Sequence, residues 1–92
     1  MVKTGLNEEQ LRKKIREVIA EMAEVPLGDV KSETHLVEDL GFDSLTVVEA
    51  VMKMETNLGL DDNTIDLDGF FNSGVEMTVE NVEGYIVKLL LG

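Results

Sequence analysis

Ser44 is the residue whose type and setting most readily do chemistry. It stands in Leu40-Gly41-Phe42-Asp43-Ser44-Leu45, where an apolar helical pattern begins. A serine at a helix start is ordinarily a cap for a first-turn amide. Three neighbours point further. The helix N-terminus presents unpaired amide groups and the positive dipole end, which favour a phosphate ester. Asp43 adds a carboxylate able to help hold the magnesium that phosphoryl-type transfers need. Gly41 keeps the approach to the serine uncluttered.

Other chemistries are poorly served. The chain has no cysteine, so thiolate metal sites, disulfides and a cysteine nucleophile are excluded, and any thiol must come from an added group. His35 is the sole histidine and falls among loop residues, where a capping or solvated role outweighs catalysis, and no serine–histidine–acid set can be assembled. Asp66-Leu67-Asp68-Gly69 looks like part of a calcium loop. With Gly69 as the sixth loop residue, Thr64 falls first and Val75 twelfth, where acids are needed. An enzyme and a true EF-hand are both set aside.

The formal net charge of -11 is uneven. Residues 1 to 31 hold six bases, Lys3 among them, and six acids, whereas residues 32 to 92 hold thirteen acids against Lys53 and Lys88. Such a field repels nucleic acid and attracts basic protein surfaces. Crowding of Glu38, Asp39, Asp43, Asp61, Asp62, Asp66 and Asp68 also predicts a fold that cations stabilise. No apolar run approaches the roughly 20 residues that span a bilayer, and no hydrophobic stretch follows Lys3 as a secretory signal would require. A cytoplasmic protein is the expectation.

The positioning elements are helical. Leu11, Ile15, Val18, Ile19 and Met22 recur at helical spacing over about Glu8 to Ala23, with Asn7 as cap and Gln10 completing a capping box. Pro26 and Gly28 are expected to end this helix, and the connection holding Val30, Leu36, Val37, Leu40 and Phe42 to lie against the core. A second helix is predicted from Asp43-Ser44 to about Leu58, stopped by Gly59, and a short turn of helix over Asp66 to Phe71. The last helix runs from Thr78 to about Leu91, with Val79, Val82, Ile86, Leu89 and Leu90 on one face. The architecture is a small helical bundle.

The second helix is too apolar for a single buried stripe. At about 100° per residue, its apolar side chains from Leu45 to Leu58 cover roughly 220°, about twice what one face needs. Leu45, Val48 and Met52 are therefore expected at the edge, beside Glu49 and Glu55. An apolar strip bordered by carboxylates suits transient docking, with adaptable contact from methionine and steering from charge.

These residues resemble the acyl carrier protein family, in which a Gly-x-Asp-Ser-Leu motif opens the second helix and its serine receives 4′-phosphopantetheine from coenzyme A. Residues 36 to 45, Leu-Val-Glu-Asp-Leu-Gly-Phe-Asp-Ser-Leu, look like the family's approach to that site. The resemblance implies an all-α fold: a four-helix bundle with three main helices and one short irregular helix, filling residues 1–92 as a single carrier domain. It implies Ser44 as the attachment site, Asp43 as the assisting acid, and Leu45, Val48, Glu49, Met52 and Glu55 as the recognition surface. The implied partners are a phosphopantetheinyl transferase and acyl-transferring and chain-elongating enzymes with basic docking surfaces. The implied protein is a monomer that is no enzyme and needs no resident metal, nucleic acid or membrane. Gly41-Phe42-Asp43 favours fatty-acid or polyketide-type biosynthesis over a peptidyl role. Two features depart from the pattern: the stretch between Leu58 and Thr78 is longer than usual, and Thr56 and Asn57 stand where many members have acids. The alternative from another class is an unmodified acidic helical module that binds basic partners.

Overall fold

Helix formation follows the caps that the sequence supplies. In the computed structural model, which describes residues 5–61 and 64–92, the order is α1 (Glu8–Ala23), a 3-10 turn (Leu27–Asp29), α2 (Ser44–Asn57), α3 (Leu67–Phe71) and α4 (Val79–Leu91). Lys3 and Asp62 lie outside the described residues. Asn7 Oδ1 accepts from Gln10 N at 2.8 Å and Gln10 Oε1 accepts from Asn7 N at 3.0 Å, closing the expected capping box. Asp43, Asp66 and Thr78 cap the other three helices through first-turn amides. The described residues contain no strand beyond one antiparallel bridge between His35 and Thr78, so the fold is the expected small helical bundle.

Two local expectations are corrected. α1 ends at Ala23 as expected, but what ends it is Glu24 and not Pro26 or Gly28: Glu24 adopts a left-handed backbone (φ 57°) and its N–H turns back to Ala20 O and Glu21 O. On α4, Leu89 is exposed and Val87 is buried instead. At about 100° per residue, Leu89 lies roughly 80° to one side of Val79 and Val87 roughly 80° to the other, so the core has chosen the second flank.

That choice places a charge inside. Glu83 sits about 40° from Val79, between Leu90 and Val87 in the apolar arc, and its residue is fully buried. α1 packs against both α2 and α4. Across the contact with α4, Arg16 Nε reaches Glu83 Oε2 at 2.7 Å and Arg16 Nη2 reaches Oε1 at 3.1 Å, while Arg12 Nη1 lies 3.3 Å from Oε1. Arg16 also donates to Val30 O and Ser32 Oγ, tying the α1–α2 connection to the same node. The hydrogen bonds with Glu83 raise the Arg16 pKa further above its already high value, against the opposing effect of burial.

The connection lies on the core in part, as Val30, Leu36 and Phe42 are buried while Val37 is exposed. Leu36 N donates to Met77 O at 2.9 Å and Val79 N to Thr34 O at 2.8 Å, so the connection is held against the start of α4. Lys53 of α2 pairs with Glu21 of α1 at 2.6 Å on the surface, a contact of small energetic weight.

The Glu83 node generates a stability prediction. Glu83→Ala removes the shared partner of two arginines that still reach water, so the loss is about 2 kcal/mol, less than the roughly 3–5 kcal/mol of a fully enclosed pair. A urea titration should show a lowered midpoint with an unchanged slope. A midpoint equal to the parent's would mean that the node is energetically neutral.

Candidate functional site

The chain emerges from the core within two residues. Phe42 is 4 % exposed, yet Asp43, Ser44 and Leu45 after it are all exposed. Hydrogen bonds from Gly41 N to Val37 O (3.0 Å) and from Phe42 N to Leu36 O (2.9 Å) fold the approach into tight turns. Gly41 has φ +73°, and a Cβ built there would meet nothing within 4 Å. The glycine is required by its backbone conformation, not by crowding around the serine.

Ser44 is the first residue of α2, and no hydrogen bond engages its hydroxyl among the described residues. The cap is Asp43 instead. Its Oδ1 accepts from Thr46 N and from Thr46 Oγ1, both at 2.8 Å. The Thr46 amide, followed by the Thr46 hydroxyl, holds the Asp43 carboxyl below the usual aspartate range. A free hydroxyl thus stands at a helix N-terminus beside an ionised, exposed carboxylate.

Beyond Ser44, α2 divides as its wide apolar arc requires. Val47, Ala50, Val51 and Met54 are buried, whereas Leu45, Val48 and Met52 are 64 %, 37 % and 53 % exposed. Glu49 is exposed beside them. Phe71 of α3, 40 % exposed, lines an open groove with Val48 and Met52, a neighbour that α2 periodicity alone could not reveal.

Glu55 is the exception among the expected recognition residues. It is 2 % exposed, and its Oε2 accepts from Ile65 N at 2.9 Å while its backbone O accepts from Leu60 N at 2.8 Å. The chain leaving α2 folds back over it. Its carboxylate serves the fold, not the outer surface.

His35, Glu38 and Glu76 come together so that one ligand atom from each lies within 4.8 Å of the others. The hydrogen bonds argue for a clamp. Val37 N and Glu38 N donate to His35 Nδ1 at 3.2 and 3.1 Å, which leaves the proton on Nε2 to be donated to Glu76 at 3.0 Å. Metal ligation through Nε2 would need the opposite tautomer, with a proton on Nδ1 facing two donors. The Asp66–Gly69 segment likewise has a structural explanation: Asp66 caps α3, and a Cβ on Gly69 would lie 2.8 Å from Tyr85 Oη.

The Asp43 cap carries a pH dependence of definite sign. Its folded pKa is below the unfolded one, so its contribution is present above the ordinary aspartate value and is lost as pH falls through the lowered folded value. Asp43→Ala should therefore melt earlier than the parent at neutral pH, with the gap closing only well below about pH 3.9. Thermal melts of both proteins across an acid series check this; a gap independent of pH would show that the carboxylate charge is not what caps α2.

Comparison with known proteins adds to this geometry. Residues 13–73 match the phosphopantetheine attachment site family. The acyl carrier proteins of three Clostridium perfringens strains (SM101, ATCC 13124 and strain 13) are each 35 % identical to the chain over 72 residues, covering 76 % of it and 95 % of the relative. No solved structure matches the chain significantly. Proteins of this kind carry a covalently attached 4′-phosphopantetheine, have no catalytic activity of their own, and work with a phosphopantetheinyl transferase and biosynthetic enzymes. A match spanning the motif, most of α1 and all of α2 and α3, with relatives aligned over nearly their full length, assigns the chain to the acyl carrier protein family.

Proposed function

We propose that Ser44 is the attachment point of the phosphopantetheine arm, that the whole chain acts as one monomeric carrier domain, and that it serves fatty-acid or polyketide-type biosynthesis in the cytoplasm. The observation that carries this reading is the free, exposed Ser44 hydroxyl at the start of α2. The residues fit the group: first-turn amides and the helix dipole favour a phosphate ester there, and nothing crowds the approach over Gly41. Asp43 would help hold the magnesium that neutralises the transferred phosphate. When bound, the arm supplies a thiol that carries the acyl group as a thioester, at an effective concentration set by tethering.

The chain's own part is presentation and recognition. Leu45, Val48 and Met52 offer an apolar stripe, with Glu49 beside it to steer basic surfaces of the transferase and of acyl-transferring and chain-elongating enzymes. Phe71 extends the stripe onto α3. Behind it, Val47, Val51 and Met54 line an apolar seam completed by α3 and α4, where a cargo chain could shelter.

Two experiments test these assignments. Incubation with coenzyme A and a phosphopantetheinyl transferase should add one arm to the parent protein and none to Ser44→Ala, which should keep its helix content because an exposed hydroxyl packs against nothing. Arm mass on the alanine variant would refute Ser44, and no mass on the parent would favour an unmodified interaction module. Glu49→Lys should slow modification roughly tenfold at low salt, chiefly through association rate, with the difference shrinking as salt rises. Parent-like rates would place the interface elsewhere.

A further inference from the structure

Glu55 is a buried ionisable side chain that the carrier role leaves unused. It is 2 % exposed and, among the described residues, has no lysine or arginine within ion-pair distance. Its carboxylate instead accepts from Ile65 N at 2.9 Å. One residue further on, the Tyr85 hydroxyl of α4 donates to Asp66 O at 2.6 Å. Burial, then the Asp66 charge, pushes the Tyr85 phenol above its ordinary value, so it remains a donor at neutral pH. Adjacent residues at the entry to α3 are thus held by a carboxyl acceptor on α2 and a hydroxyl donor on α4. Gly69 keeps the second contact possible, since a side chain there would collide with Tyr85 Oη.

What these bonds hold down is a cover. Ile65 and Phe70 are buried, and Phe70 meets the Tyr85 ring edge-on at 5.3 Å. Beneath them is the apolar seam lined by Val47, Val51, Met54, Phe70, Tyr85 and Ile86, with about 10 Å³ of free space. That is about the least that admits one water molecule and too little for an alkyl chain. Its near end at Val47 lies one helical turn from Ser44. Val51, Ile65 and Leu67 line both this closed seam and the open groove beside Val48 and Met52, so they form the wall between the two.

We propose that Glu55 and Tyr85 are positioning residues that hold residues 65–71 shut over the seam, and so set the acyl chain length at which cargo is buried. Burial of a chain requires the wall to lift, which breaks one or both bonds. Short acyl groups gain too little apolar contact to do this and stay in solvent. Longer ones offset the loss in proportion to the methylenes they bury. This inference rests on the carrier reading above, but its first test does not.

In the unmodified protein, Tyr85→Phe removes one hydroxyl and keeps the ring. Amide hydrogen exchange across residues 65–71 should quicken roughly fivefold, the effect of one ordinary hydrogen bond, while α1 amides stay unchanged. Glu55→Met should do the same, and Glu55→Gln, which keeps a carbonyl acceptor, should stay near the parent. In the acyl-loaded protein, cleavage of the thioester by hydroxylamine is compared for butyryl and octanoyl cargo. Tyr85→Phe should slow octanoyl cleavage several-fold relative to the parent and leave butyryl cleavage unchanged. Unchanged exchange in Tyr85→Phe and Glu55→Met would show that the bonds hold nothing. Faster exchange with no chain-length effect would show that the cover does not govern cargo. Failure of the parent to take up the arm would sink the carrier reading and leave the exchange result standing separately.

Discussion

The fold turns on one buried charge. Glu83 lies inside the apolar arc of α4, where an unpartnered carboxylate would cost several kcal/mol, so α4 can be buried on that face only if α1 brings cations to it. Arg12 and Arg16, one turn apart on α1, do so, and both Glu83 oxygens are engaged. Apolar packing alone tolerates sliding between helices, whereas this geometry fixes the register of α1 on α4. Through Val30 O and Ser32 Oγ, Arg16 also anchors the start of the connection that leads to Ser44. The node is far from the serine in sequence, and it underpins the frame on which the serine is presented.

With α1 packed against both α2 and α4, α2 is free to be two-sided. Its inner row, Val47, Ala50, Val51 and Met54, completes the core, and its outer row, Leu45, Val48 and Met52, is left to solvent. An exposed apolar stripe invites self-association, and the acidic surplus of residues 32 to 92 opposes it by mutual repulsion. The same charge attracts basic surfaces. The connection ends in a sharp change of environment: Phe42 is locked in the core, Gly41 supplies the left-handed turn, and Asp43 spends one carboxylate oxygen on Thr46. The cap therefore comes from the aspartate, which leaves the serine hydroxyl unengaged.

Much of this was legible in sequence because it is local. Asn7 with Gln10, Asp43, Asp66 and Thr78 mark four helix starts by side-chain chemistry that needs no tertiary partner, and apolar periodicity sets the lengths of the three main helices. The end of α1 at Ala23 was legible, but its stop was assigned to Pro26 and Gly28, because a left-handed Glu24 carries no glycine to announce it. The core face of α4 was misjudged for a different reason. Leu89 and Val87 are almost symmetric about the buried row, and the burial of Val87 follows from α1 supplying Arg16 to the Glu83 beside it, a fact about two helices and not one.

Glu55 shows where single-helix reasoning must fail. On α2 it projects within about 20° of Val48, which is more than a third exposed, so angular position alone gives the two the same surroundings. Glu49 lies about 120° from Glu55 around the same axis, so the two acids could not have bordered one side of the stripe together. What separates Glu55 from Val48 is a pair of later amides: Leu60 N donates to the Glu55 backbone and Ile65 N to its carboxylate. Glu55 is thus an anchor for the entry to α3, and Glu49 is the acid that stays exposed beside Leu45, Val48 and Met52.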